Sequence, residues 1–252
     1  MIYGMYMSSM GAMTNMARHA SIANNLANTE TTGYKPETVT FRSLLAESEL
    51  LPGKRPQANE LMEKIGGGVW MNSTPTVFEP GPIRSTGNPL DMAIRDSNGF
   101  FQIERDGQVF LSRAGEFTLN PNGEITTPDG QGRLLDDNGA PITITGPVEV
   151  SKNGTICRSG TDDVVARVGL VRVDNPAKLE KTGENMFSLH EATITGSDVK
   201  MESGALEGSA VEPVNEMVAM IEATRAYEAN MKFIQIQDDT LGRTVTTVGS
   251  VS

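Results

Sequence analysis

The chain has 252 residues, 38 % of them hydrophobic and only 5 % aromatic, with 26 glycines and a formal net charge of −11. That length leaves room for one large domain or two smaller ones, and the acidic balance argues against a nucleic-acid binder, because phosphate contacts need clustered Lys and Arg. Cys157 is the single cysteine, so an internal disulfide is excluded and a thiolate metal site lacks its ligand set; it reads as a small buried hydrophobe.

Residues 1–28 are predicted to form an amphipathic helix. Tyr6, Met10, Met13, Ala17, Ala20, Asn24 and Ala27 recur at steps of four and three, which puts them on one stripe. Small residues predominate toward its end and permit close helix–helix approach. Thr29–Gly33 is a polar stop with Pro36 just beyond. An ordinary core helix would carry the same stripe; what weighs against that reading is a matching stripe at the other end of the chain. The N-terminus has no basic segment ahead of an apolar one, Arg18 being its first basic residue, and no apolar run approaches the roughly 18 residues of a membrane span. The expectation is a chain that is either cytoplasmic or exported without a cleaved signal peptide.

Residues 34–68 read as a flexible or extended connector with a short helical patch at most. Phe41, Leu44 and Leu45 have the character to pack, Pro52–Asn59 is polar, and Gly66–Gly68 is not a phosphate loop because no Gly-Lys-Ser/Thr follows. From Val69 to about Leu206 the punctuation changes. Turn dipeptides stand at Asn98-Gly99, Asp106-Gly107, Asn122-Gly123, Asp129-Gly130, Asn138-Gly139 and Asn153-Gly154, the spacing of consecutive β-hairpins. Between them lie short alternating runs such as Gln108–Leu111 and Pro141–Ile144. An all-β domain is predicted here, with nothing helical in it, and Arg113–Phe117 as a strand pair bent at Gly115.

The last element is the longest. Val214, Met217, Ile221, Thr224, Tyr227, Met231, Ile234, Asp238, Leu241, Val245 and Val248 again step by three and four, and Pro213 suits a first helical position. A helix over Pro213–Val248 would reach about 54 Å. The predicted class is therefore α+β: long N- and C-terminal helices forming a coiled-coil-like pair, with an all-β domain inserted between them. The corresponding segments are 1–30, a connector at 31–80, the β-domain at 81–206, and 207–252.

No constellation of side chains points to catalysis. Asp136-Asp137 and Asp162-Asp163 sit beside turn residues and read as solvated. His19 and His190, the only histidines, have no ligand-spaced companion. Asn72-Ser73-Thr74 and Asn153-Gly154-Thr155 fit a glycosylation pattern that is common by chance. No nucleophile elbow or dinucleotide fingerprint occurs. No catalytic, cofactor-binding or metal-ligating residue is predicted, and the chain reads as a non-enzyme without a cofactor.

Three separated motifs carry a family resemblance. Ser21–Asn28 followed by Thr31-Thr32-Gly33-Tyr34-Lys35 resembles the N-terminal signature of the flagellar rod and hook proteins. Asp91–Ile94 with Asn98–Phe101, then Arg113–Phe117 and Asn122–Ile125, resembles the family's central motif. Gly204–Glu207, Glu216–Ile221 and Arg225–Asn230 resemble its C-terminal signature. The chain departs from the pattern at Ser209-Ala210, where Asn commonly follows Ser, and at Asp238-Asp239-Thr240, where Met often precedes the leucine. By this resemblance the chain is a structural subunit of the basal-body rod, with other rod and hook-family subunits and the flagellar type III export apparatus as partners. It also implies a periplasmic location in the basal body and no enzymatic activity. Gly81–Arg84 and Gly87–Asp91 lean toward the family's proximal-rod type over its distal-rod type.

The assembly interface expected on this reading comprises Met10, Met13, Ala17, Ala20, Asn24 and Ala27 on the first helix. On the second it comprises Val214, Met217, Ile221, Tyr227, Met231, Ile234, Asp238 and Leu241. A lone pair of helices is near balance between burial and chain entropy, so residues 1–30 and 213–252 are expected to be poorly ordered in a free monomer and to fold on packing with neighbours. Asn24 and Asp238 either fix helix register, as buried polar residues do in coiled coils, or face solvent. The rival reading, a surface adhesin with a helical stalk, expects an exposed apolar or aromatic patch on the β-domain.

Overall fold

Helical periodicity at the two ends and turn chemistry between them produce, among the described residues, two long helices and eighteen short strands. Contrary to the expectation of nothing helical in the β-domain, one 3-10 turn stands at Pro176–Lys178, where Asn175 caps it and Pro176 suits its start. The computed structural model describes residues 2–44, 68–72, 74–160, 163–189, 192–196 and 199–249. The expectations at Leu45, Pro52–Asn59, Gly66, Asp162 and His190 lie outside the described residues. The chain divides into two compact units.

The first unit comprises residues 1–26, 37–75 and 213–252. Its helices are α1 (Ile2–Ala27) and α2 (Pro213–Gly249). Pro213 opens α2, where its missing N–H has no helical partner to lose. Within α2 the hydroxyls of Thr224, Thr240 and Thr244 and the amide of Asn230 donate to carbonyls four residues earlier. These donor groups are satisfied on their own helix. The described part of the predicted connector contains strand, and residues 45–67, where the sequence allows a short helical patch, lie outside the described residues. β1 (Phe41–Leu44) pairs antiparallel with β2 (Gly68–Met71), Phe41 opposite Met71 and Arg42 opposite Trp70. Gly68 has φ +105, and a Cβ there would lie 2.6 Å from Met10 Sδ, so β2 approaches α1 through a residue without a side chain.

The second unit comprises residues 27–36 and 76–212. Among the described residues its largest sheet has nine strands, and β5 (Gly99–Arg105) is its spine. On one side β5 pairs along its length with β6 (Gln108–Ser112). On the other it pairs first with β13 (Leu170–Val173) and then with β9 (Arg133–Leu134). Successive side chains on a strand point to opposite faces. Phe101 and Ile103 accordingly enter one apolar cluster, with Met92, Phe117 and Leu134, while Phe100 enters another, with Leu111, Val173 and Phe187. Two antiparallel pairs join distant chain: β3 (Ile83–Ser85) with β18 (Ala205–Glu207), and β4 (Met92–Ile94) with β17 (Met201–Ser203).

The turn dipeptides largely do what their chemistry requires. Asp106 and Gly107 both have positive φ, 54° and 76°, as the two-residue turn joining β5 to β6 demands. Asn98-Gly99 is different: β4 and β5 do not pair with each other, and Gly99 is required because a Cβ would lie 2.5 Å from Val199 Cγ1. Arg113–Phe117 is not a bent strand pair. It runs as irregular chain between β6 and β7 (Thr118–Leu119), pinned where the Met92 N–H donates to the Gly115 carbonyl at 2.9 Å. A turn with Glu184 and Asn185 at its centre, φ 49° and 56°, follows Gly183 and lacks the Asx-Gly dipeptide that marks the others. Cys157 is half-buried rather than fully enclosed.

Asp96 follows β4 and holds it to distant chain. Its carboxylate accepts from the Lys200 backbone N–H and from Arg172 Nη2, each at 3.0 Å. The Lys200 N–H and then Arg172 hold the Asp96 carboxyl below its ordinary range. A carboxyl depressed in the folded state contributes stability above its unfolded pKa of about 3.9, lost as pH falls through the folded value. Asp96→Asn should therefore lower the melting temperature at neutral pH and flatten the further loss below about pH 4. Thermal melts across pH check this; an unchanged acid limb in the variant would contradict it.

Candidate assembly interface

Within the second unit, the three motif regions meet at one buried cluster of charge. Lys35 Nζ lies 2.7 Å from Glu207 Oε1 and donates to the Glu79 carbonyl at 2.5 Å. The same carboxylate oxygen accepts from the Gly81 N–H at 2.9 Å. Arg113 Nη1 stands 3.5 Å from Glu207 Oε2, while Nη2 donates to the Ser97 carbonyl. The guanidinium also lies over the Phe100 ring, 4.8 Å from its centroid. All three charged side chains are at most 1 % exposed.

Burial pushes the Lys35 ammonium below its ordinary pKa, with Glu207 pulling the other way, and the same opposition acts on Arg113. Two cations thus face one carboxylate away from water. Glu207 Oε2 and Arg113 Nε have no hydrogen-bond partner. This arrangement has the geometry of a structural lock. Among the described residues no group of His, Cys, Asp or Glu is placed to hold a metal ion, and no helix is long and apolar enough to cross a membrane.

In the first unit, α1 and α2 touch through small and polar residues. A Cβ on Gly4 would lie 2.9 Å from Gln237 Nε2, and one on Gly11 would lie 2.8 Å from Asn230 Oδ1. Asn25 Nδ2 reaches Glu216 Oε1 at 3.4 Å. Each advance of seven or fourteen residues along α1 is matched by the same retreat along α2, so these contacts run antiparallel. Ala12, Ile22, Asn25 and Ala223 are buried.

The opposite faces are open. At about 100° per residue, Val214, Met217, Val218 and Ile221 lie on the side of α2 away from Ala223 and Asn230. They are exposed, Val214 by 67 % and Ile221 by 55 %. On α1, Tyr6, Met13 and Met16 are exposed on the side away from Gly4 and Gly11, and Tyr3 on its flank. Each helix therefore has small and polar groups at the closest contacts, flanked by half-buried apolar residues such as Met10, Tyr227 and Met231, and an outward face with further large apolar ones.

The predicted interface residues divide between these environments. On α1, Met10 and Ala17 are half-buried, whereas Met13, Ala20, Asn24 and Ala27 are exposed. On α2, Val214, Met217, Ile221 and Asp238 are exposed, whereas Tyr227, Met231, Ile234 and Leu241 are half-buried. The α2 residues do not share one face: between Val214 and Leu241 the stripe turns by about 180° on a straight helix. Gly4, Gly11, Asn25, Asn230 and Gln237 were missed because a hydrophobic pattern passes over small and amide residues. Their seven-residue spacing was the available signal.

Comparison with known proteins finds related chains. A family model described as the flagellar basal body rod FlgEFG protein C-terminal region matches residues 202–247, which span β17, β18 and most of α2. A second, described as the flagellar hook protein FlgE/F/G D1 domain, matches residues 93–161. The chain is 36 % identical to the flagellar basal-body rod protein FlgF of Caulobacter vibrioides, over 84 % of either chain. It is 34 % identical to the FlgG rod protein of Agrobacterium fabrum, over 86 % of this chain and 88 % of that one. With FlgG of Borreliella burgdorferi it shares 31 % identity over 96 % and 97 % of the respective lengths.

Removing the anion of the buried cluster leaves two cations uncompensated. Glu207→Gln should destabilise the second unit by about 3–5 kcal/mol. Glu202→Gln, which breaks the exposed ion pair with Arg95, should change stability by no more than about 1 kcal/mol. Urea unfolding of both variants measures the contrast; equal effects would refute the lock.

Proposed function

This chain belongs to the flagellar basal-body rod protein family and is a structural subunit of the rod, and we propose that it is of the proximal-rod type and polymerises through its terminal helices. The observation that carries the polymerisation reading is the apolar face on α2 at Val214, Met217, Val218 and Ile221, exposed opposite the contacts with α1. Fully burying such side chains contributes roughly 1.5–3 kcal/mol each, and a neighbouring subunit supplies what the single chain lacks. The coiled-coil-like pairing of α1 and α2 is supported by the antiparallel, seven-residue register of Gly4, Gly11 and Asn25 against Gln237, Asn230 and Glu216. Contacts between successive subunits are heterologous on this reading, since isologous contacts close at a dimer.

The proximal-rod assignment is supported by the FlgF relative at 36 % identity, beside FlgG relatives at 34 % and 31 %, together with the runs at Gly81–Arg84 and Gly87–Asp91. The partners are other basal-body subunits, reached by export through the flagellar type III apparatus without a cleaved signal peptide, and the location is the periplasmic rod. The FlgF and FlgG relatives, all named as rod proteins, weigh against the adhesin reading. The exposed large aromatics, Tyr3, Tyr6, Trp70 and Phe233, all belong to the helical unit. Among the described residues of the β-rich unit the exposed large apolar side chains are aliphatic.

Electron microscopy of basal bodies from a strain lacking this chain tests the assignment. A proximal-rod subunit leaves no distal rod; a short rod that still forms would indicate the distal type, and a normal rod would overturn the family role. Ile221→Asp or Ala20→Asp should abolish incorporation while the β-rich unit stays folded by circular dichroism. Normal rods built from both variants would refute the helical interface.

A further inference from the structure

Residues 27–36 belong to the β-rich unit, yet the chain on either side of them, residues 1–26 and 37–75, belongs to the helical unit. No covalent neighbour from the body of their own unit flanks this segment, so non-covalent contacts alone seat it there. Those contacts resemble a peptide in a receptor groove. The Asn185 side-chain amide donates to the Thr32 carbonyl at 2.9 Å. The Gly33 N–H donates to the Glu207 carbonyl at 2.8 Å, the Ala210 N–H to the Tyr34 carbonyl at 3.1 Å, and the Val77 N–H to the Pro36 carbonyl at 2.9 Å.

Side chains give the groove selectivity. Gly33 has φ +65, and a Cβ there would lie 2.5 Å from the Arg113 carbonyl group, so position 33 accepts glycine only. Tyr34 is 2 % exposed and carries the Lys181 ammonium 4.2 Å above its ring. Lys35 completes the segment by entering the buried site of Glu207.

We propose that this groove is a recognition site for an extended Gly-Tyr-Lys segment, and that the segment is exchangeable: filled in cis in the single chain, the groove accepts the same segment of a second copy. The partner is thus another copy of this chain, and the exchanged element is residues 31–36. Exchange of an identical element forms no new type of contact, so it requires only that the linking chain allow it. In cis the segment competes at the high effective concentration of a tethered ligand, which keeps an isolated chain closed on itself. The inference does not depend on the rod assignment.

Two experiments on the full-length chain decide it. In Gly33→Asp the chain's own segment is expelled while every groove residue is retained. A fluorescein-labelled peptide of residues 28–37 should bind that variant saturably by anisotropy. Adding Glu207→Gln to it should weaken binding on the order of tenfold, and the wild-type chain should take up little peptide. No saturable binding by a folded Gly33→Asp chain overturns the proposal. The second experiment stands whether or not that variant folds. Lys35→Glu and Glu207→Lys chains each mismatch in cis, but in a mutual exchange both grooves regain an opposite-charge pair. Refolded together they should give a heterodimer in size-exclusion chromatography that neither gives alone. A mixture that remains monomeric or fails to refold, like its separate components, overturns the proposal.

Discussion

The β-rich unit depends on how Lys35, Arg113 and Glu207 share one small volume from which water is excluded. A buried carboxylate is tolerable only when paired and hydrogen-bonded, and here each requirement is met by a different stretch of chain. Lys35 comes from the segment after α1, Arg113 from the irregular run after β6, and Glu207 from the end of β18. The Gly81 N–H and the Glu79 carbonyl complete the set. Without Glu207 two buried cations would be uncompensated, so the stretches that carry Lys35 and Arg113 are obliged to arrive where β18 places it. That obligation explains why the runs resembling the three family signatures, widely separated in sequence, converge on one place.

The helical unit is held by different physics. Its inward contacts use Gly4 and Gly11 to admit the amides of Gln237 and Asn230 onto the backbone of α1. Small residues at a helix contact allow close approach but bury little apolar area, so this pairing selects a register more than it supplies free energy. The large apolar side chains, Val214, Met217 and Ile221 on α2 and Tyr6, Met13 and Met16 on α1, face away from it. A helix pair that keeps many of its bulky apolar residues outward suits a subunit whose helices must find further neighbours. It is a poor design for a chain that acts alone.

Much of this was legible before the structure. The α1 and α2 boundaries follow from apolar steps of three and four, the stop after Ala27 and the proline at position 213. The hairpin at Asp106-Gly107 follows from its dipeptide, because few residues other than Gly, Asn and Asp take positive φ readily. Glu184-Asn185 takes the same conformation with its glycine, Gly183, before the pair rather than within it, held by bonds to Thr32 and Ser112, and so lacks the Asx-Gly dipeptide. Arg113–Phe117 alternates like a strand, but Gly115 lies against Met92, where a Cβ would stand 1.6 Å from the carbonyl oxygen. The long-range contact overrides the local pattern.

The sequence by itself determined the order of elements, the α+β class, and the family to which the chain belongs, because periodicity, turn residues and motif spacing are local properties read within a few residues. Only the tertiary structure decided which face of each helix turns inward. A stripe of steps of three and four winds around a helix, and apolarity alone does not say which part meets a partner. Tertiary structure likewise decided that Lys35, Arg113 and Glu207 are one site. Each reads as an ordinary surface charge in isolation, and burial, which gives them their role, is a property of the packed chain.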